Sequence, residues 1–165
     1  MRTQILLHRK QNCNKYKFRN ILIMYSQQQI IDMLALHGIR PSVQRIAILG
    51  FMLKTHEHPT ADEIYLALSP SIPTLSKTTV YNVLKNFSDA GVVNTLNIDG
   101  KNIRYDAFTD DHAHLKCEQC ERVFDLPCAS LYKREIEGFR INRVHTYYWG
   151  TCPECLMQEK TNEDS

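Results

Sequence analysis

Apolar residues return at helical spacing four times in the first half of the chain. Ile30, Ile31 and Leu34 line one face of a helix that Ser26 can cap and Gly38 ends. Ser42 opens a second, with Ile46, Leu49 and Leu53 on a common face. The run Pro59-Thr60-Ala61-Asp62-Glu63 predicts a third start, with Thr60 as cap and Glu63 closing a capping box. This helix carries Ile64, Tyr65 and Leu68 inward and stops near Ser69-Pro70. Ser76 caps a fourth, from Lys77 to about Ala90, which buries Val80, Leu84 and Phe87 before Gly91 ends it.

After Gly91 the period shortens to two. Val92 to Asn97 and Ile103 to Asp106 read as strands on either side of Asp99-Gly100, a hairpin turn signal. Helices followed by a two-stranded hairpin is the order of a winged helix-turn-helix, and equally that of an arbitrary small α+β domain. The second half predicts strands at His114 to Cys117, Arg122 to Leu126 and Arg140 to Tyr148, with a short helical stretch at Leu131 to Glu137 ended by Gly138.

Composition adds little to this picture. The apolar and charged fractions, 43% and 23%, are those of a folded globular chain. No apolar run approaches the roughly 20 residues of a membrane helix, and Ile5 to Leu7 and Ile21 to Met24 are too short for a signal-peptide core. A cytoplasmic location and no membrane contact are the expectation. Residues 1–25 hold six basic side chains and no acid, leaving the remainder at −4 against a total of +2. Such an extension can contact nucleic acid or stay solvated, and Met24 offers an alternative start.

Chemistry enters with the cysteines. Four of the six stand in two Cys-x-x-Cys pairs, Cys117 with Cys120 and Cys152 with Cys155. A two-residue spacer lets both sulfurs of a pair reach one ion, and two pairs complete the tetrahedron of a structural Zn2+. Four thiolates leave no open position for catalysis. A redox pair or an iron–sulfur cluster uses the same residues, but a redox site needs only one pair in a thioredoxin-like context. Cys13 and Cys128 stand outside the pattern. Just upstream, Asp110-Asp111-His112-Ala113-His114 places two imidazoles on one strand face, with Asp106 before and Asp125 after. Such a nitrogen and oxygen set suits Fe2+, Mn2+ or zinc, although exposed loop histidines produce the same pattern.

With these residues in view, the chain resembles the ferric uptake regulator family of bacterial transcription repressors. The likeness runs from about Ser26 to Leu156. It is carried by Gly38 to Arg45 (Gly-Ile-Arg-Pro-Ser-Val-Gln-Arg), His58 to Tyr65 (His-Pro-Thr-Ala-Asp-Glu-Ile-Tyr), Thr78 to Asn82 (Thr-Thr-Val-Tyr-Asn), Arg104-Tyr105-Asp106, Asp111 to His114 and both cysteine pairs. The resemblance implies an α+β chain in three parts: a basic extension, 1–25; a winged-helix DNA-binding domain, 26–107; and a small α/β dimerisation and metal-binding domain with structural zinc, 108–165. It implies a homodimer that represses transcription from a palindromic double-stranded DNA operator, and no enzymatic activity. It also implies a regulatory Fe2+ or Mn2+ site at the hinge, made of His58, Asp106, His112, His114 and Asp125. His58 joins only through the resemblance, since by itself it reads as a surface histidine beside a helix. The recognition helix becomes Lys77 to Ala90. Tyr81 and Asn82 are then candidates for base contact, and Lys77, Thr78, Thr79 and Arg45 for phosphate contact, although Thr79 and Tyr81 also fit simple helix packing.

Within the family, aspartate at positions 125 and 106 resembles the peroxide-stress repressors, whereas iron-uptake repressors generally place glutamate at the former. The peroxide group implies oxidation of the histidine ligands His58 and His112 by the oxidant formed at the metal. An iron-responsive repressor is the alternative, with zinc- or manganese-responsive relatives behind it. Many relatives carry one more histidine on the last strand. Here Val144 holds that register and His145 is one place off, on the opposite face, so no third metal site is expected. A zinc enzyme using the His and Asp cluster would need an open metal position and a general base, and no such motif is visible. A zinc-stabilised interaction module would bind no DNA in response to metal.

Overall fold

The computed structural model describes residues 25–55, 57–110, 112–126, 135–136, 138–142 and 144–163. The basic extension, Cys13, Cys128, Asp111 and most of the predicted 131–137 helix lie outside these residues. The first half is four helices, α1 (Gln27–Leu36), α2 (Val43–Lys54), α3 (Ala61–Leu68) and α4 (Lys77–Asp89). Each begins where its cap predicts. Ser26 and Gln29 form one reciprocal capping box and Thr60 and Glu63 another, while the Ser42 and Ser76 hydroxyls accept from the N3 amides of their helices. Gly91, at φ +71°, takes the left-handed turn that ends α4.

These helices enclose a core of Ile30, Leu34, Ile48, Leu49, Met52, Ile64, Val80, Leu84 and Phe87, with Val92, Val93 and Tyr105 closing it from the hairpin side. Tyr65 and Leu68 are only half-buried against it. The hairpin is β1 (Asn94–Leu96) against β2 (Arg104–Asp106), antiparallel, with Thr95 opposite Tyr105. It is the wing of a winged helix-turn-helix. Its loop, 97–103, is not the two-residue Asp99-Gly100 turn that the sequence predicts. Asp99 turns inward instead and pairs with Arg104 and Lys116, which draws the loop open.

The second half is built on a three-stranded sheet in the order β4 (Val123–Leu126), β3 (Ala113–Cys117), β7 (Tyr147–Gly150). β3 is antiparallel to β4 and parallel to β7. The predicted strand Arg140 to Tyr148 is replaced by two pieces. Phe139–Arg140 (β6) folds back on Glu135–Ile136 (β5) across Gly138, at φ +83°, and only Tyr147–Gly150 joins the main sheet. Residues 135 and 136 are therefore extended and not helical. A further helix, α5 (Pro153–Glu163), follows β7. It has no counterpart in the apolar pattern, because its sequence is polar on nearly every face. Among the described residues no helix is long and apolar enough to cross a membrane.

Candidate metal centre

Parallel pairing of β3 with β7 brings the cysteines together. Cys117 ends β3 directly opposite Gly150 at the end of β7, so the chain that leaves each strand delivers its pair to the same place. The first pair occupies the β3–β4 turn, closed by a Glu121 N–H bond to the Cys117 carbonyl at 3.0 Å. The second pair is carried by the start of a helix. Cys152 immediately precedes α5 and Cys155 lies in its first turn.

The geometry fits a tetrahedral ion. Cys117 and Cys155 sulfurs are 3.9 Å apart, and Cys120 and Cys152 sulfurs 3.8 Å. Sulfurs held at about 2.3 Å from a tetrahedral zinc stand roughly 3.8 Å from one another. None of the four is in a disulfide. Cys117, Cys152 and Cys155 are buried, with Phe124 packed beside them. Main-chain N–H groups already point at the sulfur: that of Cys120, chiefly, pulls the Cys117 thiol down to about 6 against the cost of burial. Cys155 goes the other way, pushed up to about 12 by burial and by its sulfur neighbours. Four thiolates in this space need a cation to ionise together. Arg122 donates Nε–H to Cys120 at 3.4 Å, pairs with Glu154 on α5, and lies over the Phe124 ring.

The second cluster lies where the two halves meet. Asp125, His114 and Tyr147 form one cross-strand row, from β4 through β3 to β7. His112 precedes β3 by one residue, and its ring reaches the same face with its centroid 4.5 Å from that of His114. Asp106 closes β2. His58 arrives from the other half, on the loop before α3. That loop is fastened to β2: Tyr105 N–H donates to the Pro59 carbonyl at 3.0 Å, Thr60 bridges Arg104, and Arg104 Nη1 donates to the His58 carbonyl at 3.2 Å. His58 itself sits at φ +51°, a left-handed conformation uncommon for a non-glycine residue.

His58 Nε2 is 2.7 Å from Asp125 Oδ1, and His112 Nε2 is 3.1 Å from Asp106 Oδ2 and 3.3 Å from Asp125 Oδ1. His114 Nε2 stands 3.7 Å from both carboxylates. One ligand atom each from His58, Asp106, His112 and His114 fits within 4.8 Å. His58, Asp106 and His114 are almost fully buried. The Nε2 atoms of His58, His112 and His114 and Asp106 Oδ2 make no well-formed hydrogen bond in the protein, a state that native interiors rarely tolerate. Burial pushes the His112 pKa down, but the Asp106 and Asp125 carboxylates outweigh it and raise the group to about 10. Burial likewise opposes ionisation of Asp106 and Asp125, and the facing histidines overcome it and hold both below the usual carboxylate range. The arrangement is a nest of facing imidazole and carboxylate ligand atoms, from 2.7 to 4.0 Å apart, that an ion would complete.

α4 turns Lys77, Thr78, Tyr81 and Asn82 to solvent, and the Tyr81 side chain is half exposed. Thr79 is half-buried with its hydroxyl 2.8 Å from that of Ser76. Arg45 donates to the Arg40 carbonyl at 2.7 Å, bracing the turn before α2. Lys77 pairs with Asp62 at 3.1 Å across to α3. His145 is exposed and stacks on Tyr147, with ring centroids 6.1 Å apart. The sequence assigns no role to Lys116, Tyr147 or Arg122, and Arg104 enters it only within the Arg104-Tyr105-Asp106 motif. Alternation along β3 carries a signal for one of them, since residue 116 shares the face of 112 and 114.

Residues 36–147 match the family model described as the ferric uptake regulator family. A peroxide-responsive repressor of Staphylococcus aureus is 38% identical over 138 residues, covering 81% of this chain and 93% of its own length. Among solved structures, the Campylobacter jejuni peroxide stress regulator superposes with a TM-score of 0.60 at 26% identity, covering 80% of this chain and all of its own (100%). The ferric uptake regulator of Pseudomonas aeruginosa, determined with manganese, gives 0.61 at 25% identity over 75% of this chain and 98% of its own. By sequence, by fold and by the order of its motifs, the chain belongs to the ferric uptake regulator family.

Proposed function

We propose that this protein is a cytoplasmic, metal-dependent DNA-binding repressor that senses peroxide. Cys117, Cys120, Cys152 and Cys155 hold a structural Zn2+. His58, Asp106, His112, His114 and Asp125 take the regulatory Fe2+ or Mn2+. The observation that carries the reading is His58: a residue of the DNA-binding half, 26–107, reaches Asp125 of the other half, 108–165, at 2.7 Å. An ion held by both halves favours the closed arrangement by binding it better than the open one. In a homodimer, closure sets the separation of the two α4 helices, and a palindromic duplex with matching half-site spacing is the ligand such a pair fits. Tyr81 and Asn82 face the bases, with Lys77 and Thr78 nearer phosphates. Thr79 and Arg45, each engaged within the protein, shape the helix entry as well as approach the backbone.

The peroxide reading is supported by the name of the Staphylococcus aureus relative and by aspartate at 125. His58, Asp106, His112, His114 and Asp125 would hold an Fe2+ that, when bound, would supply one-electron reduction of hydrogen peroxide. His58 and His112 offer ring carbons beside that chemistry, and an oxidised imidazole no longer serves as a neutral nitrogen ligand. Loss of either would release one half from the other and with it the operator. The test is to load the protein with Fe(II), add low peroxide and examine the tryptic peptides containing His58 and His112. Oxygen gain that tracks loss of DNA binding is expected. Unmodified peptides with DNA binding intact would remove the peroxide reading and leave an iron-responsive repressor.

A further inference from the structure

Three charged side chains outside both clusters meet where the wing touches the C-terminal sheet. Residues 112, 114 and 116 share a face, so the register that aims two imidazoles at the nest also aims Lys116 at the wing. Lys116 Nζ reaches Asp99 Oδ1 at 2.7 Å, and the other oxygen, Oδ2, accepts from Arg104 Nε at 2.6 Å. Arg104 then donates to the His58 carbonyl at 3.2 Å and lies 3.6 Å from Glu63 Oε2, the carboxylate that caps α3. A chain of charge thus runs from the C-terminal sheet, through the wing, to the backbone that carries His58. It is shielded from water, with side-chain exposures of 19% for Lys116, 8% for Asp99 and 17% for Arg104. A second contact runs beside it: Asn97 N–H donates to Tyr147 Oη at 3.3 Å, and the Tyr147 ring packs 6.1 Å from that of His114.

We propose that Lys116, Asp99 and Arg104 are positioning residues for the His58 site. They clasp the wing to the C-terminal sheet and fix the His58 carbonyl before any ion binds, so ion affinity depends on side chains that never touch it. The inference rests on the regulatory-site reading above. An ion that must first close an open hinge binds more weakly, in proportion to the fraction of molecules already closed. Contacts that need no ion raise that fraction. The left-handed backbone at His58 adds a reason for the brace, because an uncommon conformation persists only where its surroundings hold it.

The experiment is a Mn(II) titration of the full-length, zinc-loaded protein against a competing fluorescent chelator. Lys116→Ala should weaken Mn(II) binding about fivefold or more, and Lys116→Arg should restore most of the loss. Asp99→Asn should weaken binding similarly, and the double variant should be little worse than either single one. In protein holding zinc but no manganese, hydrogen exchange across residues 94–106 should be faster in Lys116→Ala, a readout free of the second metal. Should Lys116→Ala fail to keep its zinc, Asp99→Asn removes the same pair from the wing side and carries the measurement. Unchanged Mn(II) affinity in these variants, full additivity in the double one, or unchanged exchange would each overturn the clasp. His114→Ala is the separate control: if it binds Mn(II) as the native protein does, the regulatory-site reading fails, while the exchange comparison still decides the clasp.

Discussion

The cysteine cluster and the histidine–aspartate cluster are only a few residues apart along β3, yet they are built on opposite principles. All four cysteines come from one half of the molecule, and strand pairing plus one helix start place them together. Their sulfurs already receive N–H groups. Once an ion is there, nothing on the far side of the hinge is required. The second cluster draws His58 from one half and His112, His114 and Asp125 from the other, and it mixes imidazole nitrogen with carboxylate oxygen. Its integrity therefore depends on how the halves sit. The difference teaches that a site confined to one folding unit contributes to stability, whereas a site shared between two halves, on the function proposed above, reports on how they sit.

The comparison breaks most severely at the cysteines. Cys152→Ser should abolish zinc binding and unfold the C-terminal half, because structural zinc sites contribute about 10–16 kcal/mol in small modules. Circular dichroism melts with zinc analysis would show the first half, with its own core, still melting cooperatively. Retention of zinc and of a single native melt would contradict this. At the second cluster the effect is functional. His114→Ala should keep zinc and fold while losing more than about 100-fold in Mn(II) affinity, measured by chelator competition. Collapse of the C-terminal sheet in that variant would erase the distinction between the two sites.

A smaller effect separates both clusters from the proposed DNA face of α4. Asn82→Ala or Tyr81→Ala should cost about 1–3 kcal/mol in operator affinity and leave Mn(II) affinity unchanged, as fluorescence anisotropy with a duplex selected by the manganese-loaded protein would show. Altered metal affinity instead would mean that α4 also supports the hinge. The smallest effect is in pH. Burial works against the Asp99 carboxylate, but Lys116 and Arg104 outweigh it and lower its pKa below the ordinary 3.8. A depressed carboxylate contributes stability that is present above its unfolded pKa and lost as pH falls through the folded one. As pH falls from about 5 through a folded pKa below 3.8, the native protein should therefore lose its advantage over Asp99→Asn, by on the order of 1 kcal/mol or less, in paired thermal melts. Parallel curves would show that the wing pairing contributes nothing.

How much of this could be read from the chain depends on how local the cause is. The four helices were legible because each starts at a local cap, Ser26, Ser42, Thr60 or Ser76, followed by apolar residues at helical spacing. The cysteine pairs were legible because metal geometry imposes their spacing. His58 was not. Its partners lie about fifty residues or more away, and only the fastening of residues 58–60 to β2 brings it to them; family resemblance supplied what spacing cannot. The stretch from 140 to 148 misled, because an extended pattern cannot say whether a strand pairs with its neighbour across Gly138 or with β3. α5 was silent because Pro153 suits the first position of a helix but no apolar stripe follows it. The opened loop around Asp99 was hidden for a like reason: its ion partner, Lys116, lies in the other half.

The central claim is that zinc holds a scaffold while a second, hinge-spanning metal does the sensing. The most direct measurement is the metal inventory of the zinc- and Fe(II)-loaded protein, by inductively coupled plasma mass spectrometry after desalting, before and after stoichiometric hydrogen peroxide. The account predicts that zinc stays at its starting content while iron is lost. Release of zinc ahead of iron, with the iron site intact, would contradict it and make the cysteines the sensor.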